Sequence, residues 1–345
     1  MSKRIRRKDF LKLAGGGLIS FALGKKLTDA EPKNSGFKFQ PVISPAEGNV
    51  KEKLRPKEQP LSSPSTQNYR EKFSKENFQA FPVRTKLGKT EISVSTVGFG
   101  VSRTMEPALV LAVMEAGVNF MDTGRSYFRG QNEAMLGRTL ERRRPEAVIQ
   151  SKLRVNLNPE QIESNEEIKR ALEEMEKSLQ ESLKALRTDY IDILLIHGAE
   201  HSKVIDHTEI MNFFERKKEQ GIIRAHGFSS HQNQVELLRA ENEVCFYDVI
   251  MTTYNHKGAY VHMNTGRQSS WDQEALEKEM LQARKRGVGL VAMKTCSAGP
   301  LTTNPEERPT YVEALRWVLR KNVVHTMAVA MASFEQIKEN LQVWK

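Results

Sequence analysis

Residues 164–197 read SNEEIKRALEEMEKSLQESLKALRTDYIDILLIH, and the two halves of this stretch keep different periods. Ser164-Asn165-Glu166-Glu167 is a Ser-x-x-Glu capping box, in which side chains satisfy backbone N–H groups that the first helical turn leaves without partners. Ile168, Leu172, Met175, Leu179, Leu183 and Leu186 then step by three or four, which makes one apolar stripe along a helix. Tyr190–His197 changes to a short β-branched run, a strand that ends on a histidine.

The same alternation recurs on both sides. Candidate strands are Thr96–Gly100, Asn119–Asp122, Ala147–Lys152, Tyr190–His197, Ile223–Ser229, Val249–Thr253, Gly289–Met293 and Val324–Ala330. They cover about 235 residues, or about 30 per unit, the length a right-handed βαβ crossover needs. The first helix starts at Pro107 and stops at Gly117, the usual asymmetry of helix ends. Arg84–Leu87 and Glu91–Val94, around Gly88-Lys89, read as a small hairpin ahead of the first strand. Eight units point to an α/β fold, a (β/α)8 barrel of the TIM type with an N-terminal β-hairpin, spanning residues 83–345. A doubly wound open sheet is the alternative, but it often has a Gly-rich first turn, and no G-x-G-x-x-G occurs.

The chain carries a net charge of +10, which suggests nucleic acid until the charge is located. Residues 1–60 hold 14 Lys/Arg against 6 Asp/Glu, so the body is nearly neutral and no nucleic-acid face is expected. Residues 1–26 pair a basic start, Lys3 to Lys12, with a weakly apolar run from Leu13 to Gly24. That run is too short to span a bilayer but suits a signal core. The segment resembles a twin-arginine export signal: Phe10-Leu11-Lys12 matches the pattern Arg-Arg-x-Phe-Leu-Lys, with Arg7-Lys8 in the arginine positions and Arg6-Arg7 one residue early. A basic helical tail lying on an anionic membrane surface is the other reading. Residues 27–82 hold seven of thirteen prolines among polar residues, the composition of a disordered linker. Cys245 and Cys296 form no C-x-x-C pair, so neither an iron–sulfur cluster nor a metal site is expected; a disulfide between them stays open.

In a barrel of this type chemistry gathers at the C-terminal ends of the strands. Asp122, Lys152, His197 and Ser229 end four successive candidate strands, and Tyr127 follows Asp122 by five residues. Here a specific resemblance emerges. Asn119-Phe120-Met121-Asp122-Thr123-Gly124-Arg125-Ser126-Tyr127, with Asn132-Glu133 and Leu136-Gly137, resembles the aldo-keto reductase motif around its catalytic Asp and Tyr. Gln150-Ser151-Lys152 resembles that family's lysine strand, and Asp189 to Gly198 its histidine strand. Gly221 to Ser229, Tyr254-Asn255, Val291 to Lys294 and Ala314 to Trp317 extend the likeness from about residue 84 to the last residue.

The resemblance implies a tetrad of Asp122, Tyr127, Lys152 and His197 acting with NADP or NAD on a small carbonyl or alcohol. Tyr127 would be the general acid, Lys152 would lower its pKa from ~10, Asp122 would hold Lys152, and His197 would orient the substrate oxygen. Ser229 and Ser230 match positions that grip the nicotinamide carboxamide, Met251 stands where a Gln usually bonds that amide, and Lys294 where some members stack an aromatic ring. Ala332 to Asn340 resembles the adenine–ribose clamp, with Ser333, Gln336, Glu339 and Asn340 as contacts; Gln336 replaces an Arg that often meets the 2′-phosphate. NADPH is expected over NADH. His201, His207, His256 and His262 read as loop histidines with surface roles, and the long loop from Tyr254 to Ser270 is expected to cover the site. The alternative is an exported nucleotide-binding or redox-sensing subunit with little turnover. The signal implies the twin-arginine export machinery as a partner and a periplasmic or membrane-anchored location, cytoplasmic if the signal is silent.

Overall fold

The computed structural model describes residues 82–262, 266 and 268–345; the expected signal at 1–26, and the expected linker except for its last residue, lie outside them. Twelve strands follow in chain order among the described residues: β1 Arg84–Lys86, β2 Ser93–Ser95, β3 Val97–Gly100, β4 Phe120–Asp122, β5 Val148–Leu153, β6 Ile191–Ile196, β7 Ile223–Ser230, β8 Val249–Thr253, β9 Ala259–Val261, β10 Gln268–Ser270, β11 Gly289–Met293 and β12 Thr326–Val329. Eight of them, β3 to β8 with β11 and β12, pair in parallel into a closed barrel. Closure comes from β12 pairing with β3, Met327 opposite Val97 and Val329 opposite Phe99. That pairing excludes the open doubly wound sheet. The eight barrel strands are those expected from sequence, with ends displaced by two residues at most.

The helices sit where the apolar stripes place them. In Asn165–Leu186 the residues Ile168, Met175, Leu179 and Leu186 are buried, and Ser164 Oγ accepts the N–H of Glu167. The box is only half made, since Ser164 N donates to the carbonyl of Gln161. Pro107–Glu115 ends before Gly117, whose φ of +91° turns the chain into β4.

Two apolar shells hold the barrel. The outer one packs strands against helices, with Val110, Met175, Leu179, Phe214 and Leu315 among its members. The inner one fills the barrel with Phe120, Val148, Ile193, Leu195, Val249, Met251 and Val291. Full burial of such side chains is worth about 1.5–3 kcal/mol each, so the two shells dominate the folding free energy. Leu87, Ile92 and Val94 of the β1–β2 hairpin belong to the inner shell. Lys89 N also donates to Gly287 O at 2.6 Å, just ahead of β11. The hairpin therefore closes the N-terminal end of the barrel.

One expectation needs correction. The stretch after Tyr254, expected as one long loop, carries two strands: β9 and β10 pair antiparallel within it, Ala259 opposite Ser270 and Val261 opposite Gln268. Asn255, fully buried, fastens this arm by donating to Ala259 O at 3.0 Å and Lys294 O at 3.2 Å. No disulfide joins Cys245 to Cys296, which answers the pairing left open by the sequence. Among the described residues no helix is long and apolar enough to cross a membrane.

Candidate active site

Period two along β5 turns Val148, Gln150 and Lys152 to the same side, the barrel interior that Val148 helps fill. Lys152 is the last of the three and almost wholly buried, at 1% exposure. An ammonium there needs oxygen partners. It donates to Asp122 Oδ1 at 2.5 Å, to the carbonyl of Thr123 at 2.7 Å and to Tyr127 Oη at 3.4 Å. Asp122 ends β4, the strand next to β5, so barrel adjacency brings the pair together.

Tyr127 reaches Lys152 because the chain after β4 makes an unusual turn. Phe128, Arg129 and Gly130 take φ values of +49°, +54° and +84°, three left-handed residues in succession. A Cβ on Gly130 would lie 1.1 Å from Arg125 Nη2, so this position requires glycine on two grounds. Arg125 is itself anchored: Nη1 donates to Glu133 Oε2 at 2.7 Å, and Glu133 Oε1 accepts from Ser151 Oγ at 2.6 Å. Glu133 is fully buried, and burial pushes its pKa up against the pull of Ser151 and Arg125. The turn that carries Tyr127 is thus braced against β5 itself.

His197 follows β6 directly. Its ring stands edge-on to that of Tyr127, with centroids 5.4 Å apart, and its Nδ1 lies 3.1 Å from Ser126 Oγ. Burial first, then the charges of Lys152 and Arg154, pull its pKa down to about 2, so the imidazole is neutral at physiological pH. Tyr127 departs from expectation. Burial raises its pKa and outweighs the lowering by Lys152, so the net shift is upward and the phenol keeps its proton. Lys152 also sits above its ordinary value: burial pulls it down, but Asp122 and Tyr127 more than compensate.

All four expected tetrad residues therefore meet at one end of the barrel. The expected cofactor contacts divide. Ser229 and Ser230 end β7 on the same rim, but both hydroxyls already have protein partners: Ser229 Oγ donates to Ile196 O and accepts from Gly198 N, and Ser230 Oγ bonds Gln232. Lys294, just past β11, adopts φ +60° with its ammonium 5.6 Å from the Tyr260 ring centroid. Ser333 caps the helix Phe334–Asn340, accepting from Gln336 N, while Gln336 Oε1 accepts from Ala332 N at 2.7 Å. Gln336 is thus a helix-start residue in this chain. Glu339 is exposed and Asn340 buried on the same helix.

Several residues of the site escaped sequence reading. Gln150 is wholly buried and donates to Asp122 Oδ1 at 2.7 Å and to Met251 Sδ at 3.3 Å. Its inward register two residues before Lys152 was the available signal. Nothing in the sequence separates Ser126 from the motif that leads to Tyr127. His231 carries no motif signal; burial, then Lys294 and Lys152, lower its pKa to about 3, and its ring is 6.0 Å from that of Tyr260. His256 is a half-buried residue of the arm, against Trp317 at 6.4 Å, and not a plain surface histidine. Among the described residues no group of three His, Cys, Asp or Glu side chains converges to hold a metal ion.

Known proteins fit this geometry. The chain is 31% identical over 161 residues to the uncharacterized oxidoreductase YqkF of Bacillus subtilis (strain 168), a match that spans 43% of this chain and about half, 48%, of that protein. It is 24% identical over 294 residues to L-galactose dehydrogenase of Arabidopsis thaliana, covering 74% of this chain and 86% of that one. The solved structure of aldo-keto reductase AKR11C1 from Bacillus halodurans (holo form) superposes with a TM-score of 0.59 at 24% identity, over 76% of this chain and 90% of that one; it supports the barrel. A model of the aldo/keto reductase family matches residues 96–313, from the first barrel strand past the seventh. Because that match takes in more than half of the sequence, with Asp122, Tyr127, Lys152 and His197 all inside it, the chain belongs to the aldo/keto reductase family of oxidoreductases.

Proposed function

We propose that this chain transfers hydride between a nicotinamide cofactor and an aldehyde, ketone or alcohol, with Tyr127 as general acid in reduction and general base in oxidation. The observation that carries this reading is the convergence of a protonated phenol, a buried ammonium 3.4 Å from it, and a neutral imidazole. The rim suits an anionic dinucleotide. Positive charges of Lys152 and Arg154 act on His197, those of Lys294 and Lys152 on His231, and that of Arg103 on Lys294. Lys294, Ser229 and Ser230 would hold its nicotinamide end, and Ser333, Gln336, Glu339 and Asn340 its adenosine end. We favour NADPH over NADH on the resemblance of residues 332–340 to the adenine–ribose clamp, although Gln336 brings no cation to the added phosphate.

The reduced nicotinamide supplies the hydride. As the carbonyl carbon accepts it, negative charge grows on the oxygen, and Tyr127 delivers the phenolic proton there. The tyrosinate left behind is balanced by Lys152, whose charge Asp122 keeps in place. In the tautomer whose Nδ1 accepts from Ser126 Oγ, His197 carries its proton on Nε2 and donates to the same oxygen. In oxidation the tyrosinate takes the alcohol proton back.

The test uses the full chain, titrated with NADPH and NADH by nicotinamide fluorescence and assayed on a panel of aldehydes and quinones. Tyr127→Phe should bind cofactor as the wild type does and lose about 10²–10⁴ in kcat. Wild-type turnover in that variant refutes the reading. Tight cofactor binding without turnover in the wild type supports the second reading, a nucleotide-binding or redox-sensing subunit, which the already bonded hydroxyls of Ser229 and Ser230 favour. We propose export by the twin-arginine route to the periplasm or a membrane-anchored position from the sequence of residues 1–26. A reporter fused after residue 60, with Arg7→Lys as control, tests it.

A further inference from the structure

Asp122 Oδ1 receives two donors inside the barrel, the ammonium of Lys152 at 2.5 Å and the amide of Gln150 at 2.7 Å. The amide has one sensible orientation, because turned over it would set a carbonyl oxygen against a carboxylate. Gln150 Nε2 also contacts Met251 Sδ at 3.3 Å, across the barrel from β5. Its own Oε1 is buried and has no partner. A methionine or leucine here would fill the same volume among Val148, Met251 and their neighbours without leaving a polar atom unsatisfied. Packing alone does not explain a glutamine at this position. Its one useful contact is with Asp122.

We infer that Gln150 is a positioning residue for the proton donor, acting on Tyr127 through Asp122 and Lys152. This rests on the reaction proposed above. The chain of contacts runs Gln150 to Asp122, Asp122 to Lys152, and Lys152 to Tyr127, with every link at hydrogen-bond distance. The amide N–H draws off part of the charge on Oδ1, so Asp122 neutralises Lys152 less completely. More of the ammonium's field then reaches the phenol, which favours tyrosinate. A neutral group thereby sets how easily the proton leaves.

The sign of the effect follows. Gln150→Met leaves Oδ1 to Lys152 alone, weakens the field at Tyr127 and makes its ionisation harder. The test is an ultraviolet difference titration of tyrosinate in the full chain, with the Tyr127→Phe spectrum subtracted, alongside the pH profile of kcat and a thermal melt. Gln150→Met should move the Tyr127 ionisation, and the basic limb of kcat with it, upward by about half a pH unit or more. Gln150→Leu, and Gln150→Asn with its amide drawn back by one methylene, should move both the same way, which keeps the idea testable if the methionine variant fails to fold. A folded variant whose Tyr127 titrates as in the wild type overturns the inference, and so does a lowered melting temperature with an unchanged profile. The titration needs neither substrate nor cofactor. Failure of the proposed reaction would show instead as full turnover in Tyr127→Phe.

Discussion

Ser126 Oγ lies 3.1 Å from Nδ1 of His197, a contact between the turn after β4 and the end of β6. A hydroxyl can either donate to Nδ1 or accept from it, so this contact fixes the orientation of the ring whichever nitrogen carries the proton. Ser126→Ala should lower kcat about tenfold with little change in cofactor affinity, because the ring then loses its fixed orientation. Steady-state assays paired with fluorescence titration check this. An unchanged kcat would mean that packing against Tyr127 holds the ring unaided.

Lys152 and Asp122 form a buried pair with side-chain exposures of 1% and 5%. Removing one member leaves the other charged and without its partner, which costs about 3–5 kcal/mol. Asp122→Ala should therefore lower the urea midpoint strongly. Lys152→Met with Asp122→Asn should recover much of the loss, since no charge then remains unpaired. Equilibrium unfolding of the three proteins decides it.

Stability should peak near pH 6.5. His197, His231 and His325 titrate in the folded protein at about 2, 3 and 4 against an ordinary 6.5, each chiefly through burial. The unfolded chain binds protons there first, so stability falls as pH drops below 6.5. Glu241 behaves oppositely: burial lifts it from 4.5 to about 8, and the folded protein holds that proton longer. Its contribution declines as pH rises from 4.5 to about 8. Asp206, lifted from 3.8 to about 6 by burial and by Glu243, acts in the same sense over a lower window. Three histidines outweigh these two acids below 6.5, and Glu241 prevails above it. Glu241→Gln should flatten the alkaline side by about 1 kcal/mol between pH 7 and pH 8. Melting temperatures across the range test both slopes.

Phe128 holds a left-handed backbone, φ +49°, with 48% of its surface exposed. A bulky residue in that conformation costs about 1–2 kcal/mol relative to glycine. Phe128→Gly should thus raise stability by about 1 kcal/mol despite the lost side chain, the entropy of the unfolded glycine offsetting part of the gain. A denaturation midpoint that falls would show that the ring contributes more than its exposure suggests.

Fold and tetrad were largely legible in the sequence because both depend on local pattern. Asp122, Lys152 and His197 each stand at or beside the end of an apolar run, and barrel closure does the rest. Gln150 and Ser126 were not legible, since their partners lie 28 and 71 positions away and neither residue type advertises a role. The direction of the Tyr127 shift was misjudged for a related reason: a neighbouring ammonium can be read from a motif, whereas the depth of burial that outweighs it cannot. Gln336 aligned with a phosphate contact, yet its side chain turns back to Ala332 N, a local preference of helix starts that motif matching ignores. The β9–β10 arm was hidden by short strands in polar sequence.

Leu87, Ile92 and Val94 stopper the barrel from beneath, so it is a vessel with a single mouth. On the reaction proposed above, reactant and product would share that opening, and whichever molecule sits deeper would arrive first and depart last. In that same reaction, a phenolate formed at Tyr127 would be recharged from the open end, past the edge-on ring of His197.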